Sequence, residues 1–286
     1  RTTVRNCART LENLAKAIQN DPLDGERFRP PDGRVCPVSS DVVRAIRIIS
    51  PFVSAYKSVA KRRALPWDPS IGEEASGIDD FIKYLVKTLL ESLRGKAGNY
   101  MLDNDPTAVA KAPLFVMNNT FYLLQQLGSN KQSSMKGFDN EEEELVTFNS
   151  PWFKEKVGNV FQAQKESYLA HWETLNKHLT SVDKSDLNYQ KDKLLSLESG
   201  RLLKARFSGF TEDLERIYTL HKGLNVIDLK LREMLQNDVR RVFFPRYKRF
   251  FEKYSRIQFS KKNQDQYLKY PPDRVDAMIG DMYEMF

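Results

Sequence analysis

The segment from Ser150 to Leu179 sets the terms on which this chain can fold. Phe153, Val157, Val160, Gln164, Tyr168, Trp172, Leu175 and Leu179 return every three or four residues, the spacing that lines one face of an α-helix. The same period governs Val4, Cys7, Ala8, Leu11, Leu14, Ala15 and Ile18, then Val42 to Val59, Ile78 to Leu93, Val109 to Leu127, Leu187 to Leu220, and Val275 to Met282. No stretch alternates apolar and polar side chains as a half-buried strand would. The pattern predicts an all-α chain of roughly eight to ten helices, packed antiparallel in an elongated rod of stacked helical bundles.

Breaks in the period place the boundaries. Asp21 to Val38 and Leu65 to Gly77 are rich in Pro, Gly and Asp and predict loops. Ser39 and Ser40 can cap the helix that follows them, and Pro51 predicts a kink in it. The helix from Ile78 is predicted to stop near Gly95 and Gly98. Asp105 is the expected cap of the next one, with Pro106 in the first turn, where a missing amide costs little. Asn118 and Asn119 sit among core positions and need hydrogen-bond partners if buried. Residues 1–128 are thus expected to form the first bundle or bundles. Residues 129–149, with the acidic run Glu141 to Glu144, read as a solvated loop. Residues 150–286 read as C-terminal bundles ending in a basic surface.

That basic surface is where the charge of the chain is concentrated. Val239 to Tyr270 holds ten Lys or Arg against Glu252 and Asp265, a local charge of +8, while the whole chain sums to +7. On a helix, Val239, Val242, Phe243, Tyr247, Phe250, Phe251, Tyr254 and Ile257 share one arc, and Arg241, Lys248, Arg249, Glu252 and Arg256 share the opposite one. The aromatics are therefore expected in the core. Arg240 falls inside the apolar arc and predicts an internal ion pair, and Pro245 predicts a bend, because the pattern keeps its phase across it. After Ile257 the phase is lost, so Gln258 to Tyr270 should be a loop or turn that carries Lys261, Lys262 and Lys269. Clustered cations attract polyanions because their fields add.

The residues offer no catalytic chemistry. His171 and His178 are seven apart, too far along one helix to share an ion without outside ligands, and His221 stands alone. Gly128 to Gly137 lacks the spacing of a phosphate-wrapping loop. Cys7 and Cys36 form no metal or disulfide framework, as expected in a reducing cytosol, and Cys36 reads as an inert thiol. No cofactor is implied. No apolar run is long enough to span a bilayer, and the first residues read as those of a fragment or processed chain. With the aromatics committed to the core, a nucleic-acid reader is disfavoured. An anionic membrane demands less geometry, at about 1 kcal/mol for each Lys or Arg. A helical scaffold whose basic end meets an acidic protein, such as a GTPase, is the alternative.

Four stretches carry a resemblance. The ending FSKKNQDQYLKYPPDRVDAMIGDMYEMF resembles the end of the seventy-kilodalton subunit of the exocyst, where an F-x-K segment leads into K-Y-I/L-K-Y and a short helix. PDGRVCPVSSDVVRAIRII, PLFVMNNTFYLLQQL and RFSGFTEDLERIY are similar to three further segments of that family, in the same order. The resemblance implies a role in tethering secretory vesicles at the inner face of the plasma membrane. It implies binding of phosphatidylinositol 4,5-bisphosphate by the C-terminal end, with other exocyst subunits and Rho-family small GTPases as partners. Lys262 matches the Lys of F-x-K and Lys269 the second Lys of K-Y-I/L-K-Y. Gln266 stands where the first would be, so that one headgroup contact is either lost or supplied by a neighbour, for which Lys261 is the candidate. The lipid-facing set is therefore Lys261, Lys262 and Lys269, assisted by Lys253, Arg249, Arg256 and Lys248.

Overall fold

The computed structural model describes residues 2–52, 54, 56, 78–102, 105–128, 151–182, 187 and 195–283. Among these residues the regular elements are all helical. They are α1 (Thr2–Gln19), α2 (Pro37–Ile49), α3 (Ile78–Leu102), α4 (Ala108–Leu127), α5 (Pro151–Glu173), α6 (Leu197–Lys222), α7 (Leu229–Tyr254), α8 (Gln264–Tyr267) and α9 (Pro272–Gly280). Short 3-10 turns lie at Ser50–Phe52 and Thr174–His178. The acidic run Glu141 to Glu144 and the loop Leu65 to Gly77 lie outside the described residues. The chain divides into two compact units, residues 1–108 with 112–164, and residues 109–111 with 165–286.

In the first unit α1 and α2 both pack on α3. Val42, Val43 and Ile46 of α2 join Phe81, Leu85, Val86 and Leu89 of α3 and Phe115 of α4 in one core. Cys7, counted on the apolar face of α1, is exposed. The cap of α2 also differs from expectation: the helix begins at Pro37 behind Cys36, and no side chain caps it. Ser39 is instead buried, and its hydroxyl donates to Asn119 Oδ1 at 2.7 Å. That oxygen also accepts the Cys36 backbone N–H at 3.0 Å, and the Asn118 amide donates to the Gly33 carbonyl at 2.7 Å. Both buried asparagines thus find the partners they need. Pro51 interrupts the α-helix with a 3-10 turn, and Ser54 and Tyr56 are helical beyond it. The Ser50 hydroxyl donates to the Arg47 carbonyl, which is the acceptor that an N–H at position 51 would have used.

The helix α3 does not stop at Gly95 or Gly98 but continues to Leu102. The reason is the loop between α1 and α2, which folds over the last turns of α3. Leu23 presses on Gly95 so closely that an added Cβ would stand 3.0 Å from its Cδ2. Lys96, fully buried, pairs with Asp21 at 2.7 Å and donates to the Pro22 carbonyl. Asn99 donates to the Leu23 carbonyl and Tyr100 to that of Pro30. Asp105 accepts the Thr107 N–H at 2.8 Å, so it shapes the turn before α4, which starts two residues later than a cap at Asp105 would place it.

The second unit is built on aromatic contacts. Phe207 of α6 meets Phe250 of α7, and Phe210 meets Tyr247 and Phe243. The partner number falls as the α6 number rises, so the two helices run antiparallel. Phe210 and Tyr247 stack with centroids 4.1 Å apart, and Trp172 of α5 stacks on Phe243. The helix α9 packs on α7 and buries Val275, Met278 and Ile279. Each such side chain contributes about 2 to 3 kcal/mol by leaving water.

Candidate functional site

The basic surface is mounted on α7 and the segment that follows it. Asp228 opens α7 by accepting the Lys230 and Leu231 amides at 2.9 and 3.1 Å. The helix runs unbroken through Pro245 to Tyr254. Phe243, Tyr247, Phe250 and Tyr254 are buried, as the wheel requires, whereas Phe244 and Phe251 are half-buried. Arg240 does form an ion pair, with Asp276 at 2.6 Å, but the two side chains keep 31% and 49% of their surface exposed. Its length carries the guanidinium past the apolar arc to the rim of the unit.

Lys248, Arg249 and Lys253 are exposed on α7, and Arg256 is exposed in the turn just past its end. From Lys248 to Lys253 the helix rises about 7.5 Å. Arg249 donates to the Pro245 carbonyl, the ammonium of Lys253 lies 4.8 Å from the Tyr254 ring centroid, and the Tyr254 hydroxyl donates to the Val182 carbonyl.

Beyond α7 the segment is not a slack loop. Phe259 is buried against Phe207, and Ser260 and Gln264 tie the turn around Lys261 and Lys262. The Ser260 hydroxyl donates to the Lys262 carbonyl at 2.5 Å, and the Gln264 amide donates to the carbonyls of Ser255 and Ile257. Asn263 takes a left-handed conformation at φ 60°, which Asn tolerates better than most residues. Lys261 and Lys262 are thereby held side by side in sequence at an exposed, internally braced turn.

The same segment lies along α6. Gly200, Lys204, Thr211 and Glu215 fall on one face of that helix. Gly200 faces the Phe259 carbonyl oxygen, 3.0 Å from where a Cβ would stand, and Lys204 lies 5.7 Å from the Tyr267 ring. Glu215 receives Lys269 at 2.5 Å and the Tyr270 hydroxyl at 2.8 Å. From Gly200 to Glu215 the helix rises about 22 Å, so Lys261 and Lys262 sit toward one end of this track and Lys269 at the other. Tyr247 fixes that far end by donating to the Tyr270 carbonyl. Lys204, Gln264 and Glu215 escaped the sequence reading; only the helical phase shared by Lys204 and Glu215 hinted that they belong together.

The histidines have other employment. His178 sits in the 3-10 turn and meets Asp213 at 2.9 Å, and Lys177 and Arg216 pair with the same carboxylate at 2.8 and 3.0 Å. Burial pushes the Asp213 carboxyl up, but hydrogen bonds from Lys177, His178 and Arg216 outweigh it and hold the group well below the usual carboxylate range. His221 is not alone: it is buried, with Nδ1 2.6 Å from the Tyr168 hydroxyl and its ring 4.9 Å from that of Trp172. Among the described residues no three His, Cys, Asp or Glu side chains gather where they could hold a metal ion. No described helix is long and apolar enough to cross a membrane.

The profile of the family formed by the C-terminal region of the Exo70 subunit of the exocyst complex matches residues 1–281. The chain belongs to that family. Exocyst complex component 7 of Drosophila melanogaster is 26% identical over 294 residues, covering 97% of this chain and 39% of that protein. The Homo sapiens protein of the same name is 23% identical over 282 residues, with 97% and 35% covered. The chain thus spans well under half the length of these relatives. A solved structure of Exo70 from S. cerevisiae superposes with a TM-score of 0.66 over 98% of this chain and 52% of that one, at 16% identity. At that identity the likeness speaks for the helical fold.

Proposed function

We propose that this part of an exocyst subunit tethers secretory vesicles to the plasma membrane by binding phosphatidylinositol 4,5-bisphosphate through Lys261, Lys262, Lys269, Lys253, Arg249, Arg256 and Lys248. The observation that carries the reading is that all seven side chains are exposed although the segment bearing them is anchored by buried aromatics. A mounted cluster keeps its cations together without ordering them anew on binding. Each cation near an anionic surface contributes about 1 kcal/mol, so five to seven give several kcal/mol, a reversible attachment that salt weakens. The protein would work at the inner face of the plasma membrane, with other exocyst subunits and Rho-family GTPases as partners, and several bound lipids raising the affinity by avidity.

The test is sedimentation with phosphatidylcholine vesicles, with and without phosphatidylinositol 4,5-bisphosphate. The chain should pellet with the bisphosphorylated lipid and lose most of that binding when Lys261, Lys262 and Lys269 are all replaced by Ala. Equal pelleting of the two proteins removes this surface from the reading. Absence of pelleting by the unmodified chain, together with partner capture that charge reversal abolishes, would favour the scaffold instead.

A further inference from the structure

Among the described residues, Lys269 is the one member of the seven with a carboxylate at ion-pair distance. Its ammonium lies 2.5 Å from Glu215 Oε1, the same oxygen that accepts the Tyr270 hydroxyl at 2.8 Å. Two anchors aim the lysine at this carboxylate: Tyr270 on Glu215 itself, and Tyr247 on the Tyr270 carbonyl. The hydrogen bond from Lys269 holds the Glu215 carboxyl below its ordinary range and lifts the lysine above its own.

The pair nevertheless stands in water, with 54% of the Lys269 side chain and 41% of that of Glu215 exposed. A pair so exposed is weak, because solvent screens it. It also adds no net charge to the surface, so an approaching polyanion meets Lys269 already neutralised. A phosphate with more charge than a carboxylate can take the ammonium over.

Resting on the membrane reading above, we propose that Glu215 is a built-in competitor for the headgroup, keeping Lys269 in reserve until a multiply charged phosphate displaces the carboxylate. Glu215 thereby sets how much anionic charge a membrane must present before the far end of the track engages.

The experiment uses the whole chain and phosphatidylcholine vesicles containing phosphatidylinositol 4,5-bisphosphate. Glu215→Gln removes the charge, keeps an oxygen for the Tyr270 hydroxyl, and should leave thermal melting unchanged. It should tighten vesicle binding about fivefold, the value of one added cation near an anionic surface. Asp265→Asn also removes one negative charge close by in sequence but not from a partner of Lys269, and should gain less than half as much. Glu215→Gln made in a Lys269→Ala background should likewise gain less than half as much. Equal gains from Glu215→Gln and Asp265→Asn, or a full gain without Lys269, would reduce Glu215 to one more background charge and overturn the proposal. Should the unmodified chain ignore these vesicles, the membrane reading falls and this one with it. A chain that binds them but is indifferent to Glu215→Gln sinks only the competitor.

Discussion

Phe259 lies flat on Phe207, ring centroids 5.2 Å apart and planes 9° from parallel. This contact pins the start of the track to α6 immediately before Lys261 and Lys262. Replacing Phe259 by Ala removes a buried ring and should cost about 3 to 5 kcal/mol of stability. Vesicle affinity should drop with it, although no charge is altered. Phe259→Leu, which keeps most of the buried area, should restore both. Urea unfolding and vesicle sedimentation below the melting temperature check the pair of outcomes. A Phe259→Ala protein that binds like the parent would mean that the lysines work without their mounting.

Gly209 and His178 make a second close approach. An added Cβ at Gly209 would stand 2.5 Å from His178 Cε1 and 2.7 Å from Nδ1. The imidazole would have to leave, and with it the contact to Asp213. Gly209→Ala should therefore lose about 1 to 3 kcal/mol, despite its gain in helix propensity. In a His178→Ala background the same change should be nearly harmless or slightly stabilising, a non-additivity that a double-mutant cycle in urea measures directly.

These two contacts also show which parts of the molecule its sequence could express. Helical phase is local, so α7 was legible through Pro245, and so was the division between buried Phe243, Phe250 and Tyr254 and exposed Lys248 and Arg256. Glycine ambushed the reading where a distant chain segment uses it: Gly95 serves Leu23, 72 residues away in sequence, so it does not end α3. Ser39 offered a cap, but buried Asn119 claimed its hydroxyl. The pairing of Lys269 with Glu215 spans 54 residues. No local pattern encodes such a contact, because either residue alone is an ordinary exposed charge.

Asn119 holds α2 to α4 through an oxygen that accepts the Cys36 N–H and the Ser39 hydroxyl inside a fully buried site. Asn119→Ala strands both donors, each at about 1 to 3 kcal/mol. Cys36 reports on the damage. Burial pushes its thiol pKa up, so it should be slow to alkylate in the parent, while exposed Cys7 reacts first. In Asn119→Ala, maleimide labelling followed by mass spectrometry should find Cys36 reacting much faster under native conditions. Unchanged labelling would show that the asparagine is not what keeps α2 seated.

His221 makes stability depend on pH in a direction that can be worked out. Burial pushes its pKa from 6.5 down to about 3, and the nearby His171 adds to the push. The folded protein thus keeps the ring neutral, beside the Tyr168 hydroxyl, through the range where the unfolded chain takes up a proton. Its contribution is complete above pH 6.5 and is lost progressively as the pH falls from there toward 3. The slope approaches about 1.4 kcal/mol for each pH unit once the unfolded histidine is protonated. His221→Gln can still bond to Tyr168 but cannot titrate. It should be less stable than the parent at pH 7, yet lose stability more slowly between about pH 6.5 and 4.5, so that the two curves converge. Urea midpoints taken across that window decide the matter: parallel curves would mean that the ring is not held neutral in the fold.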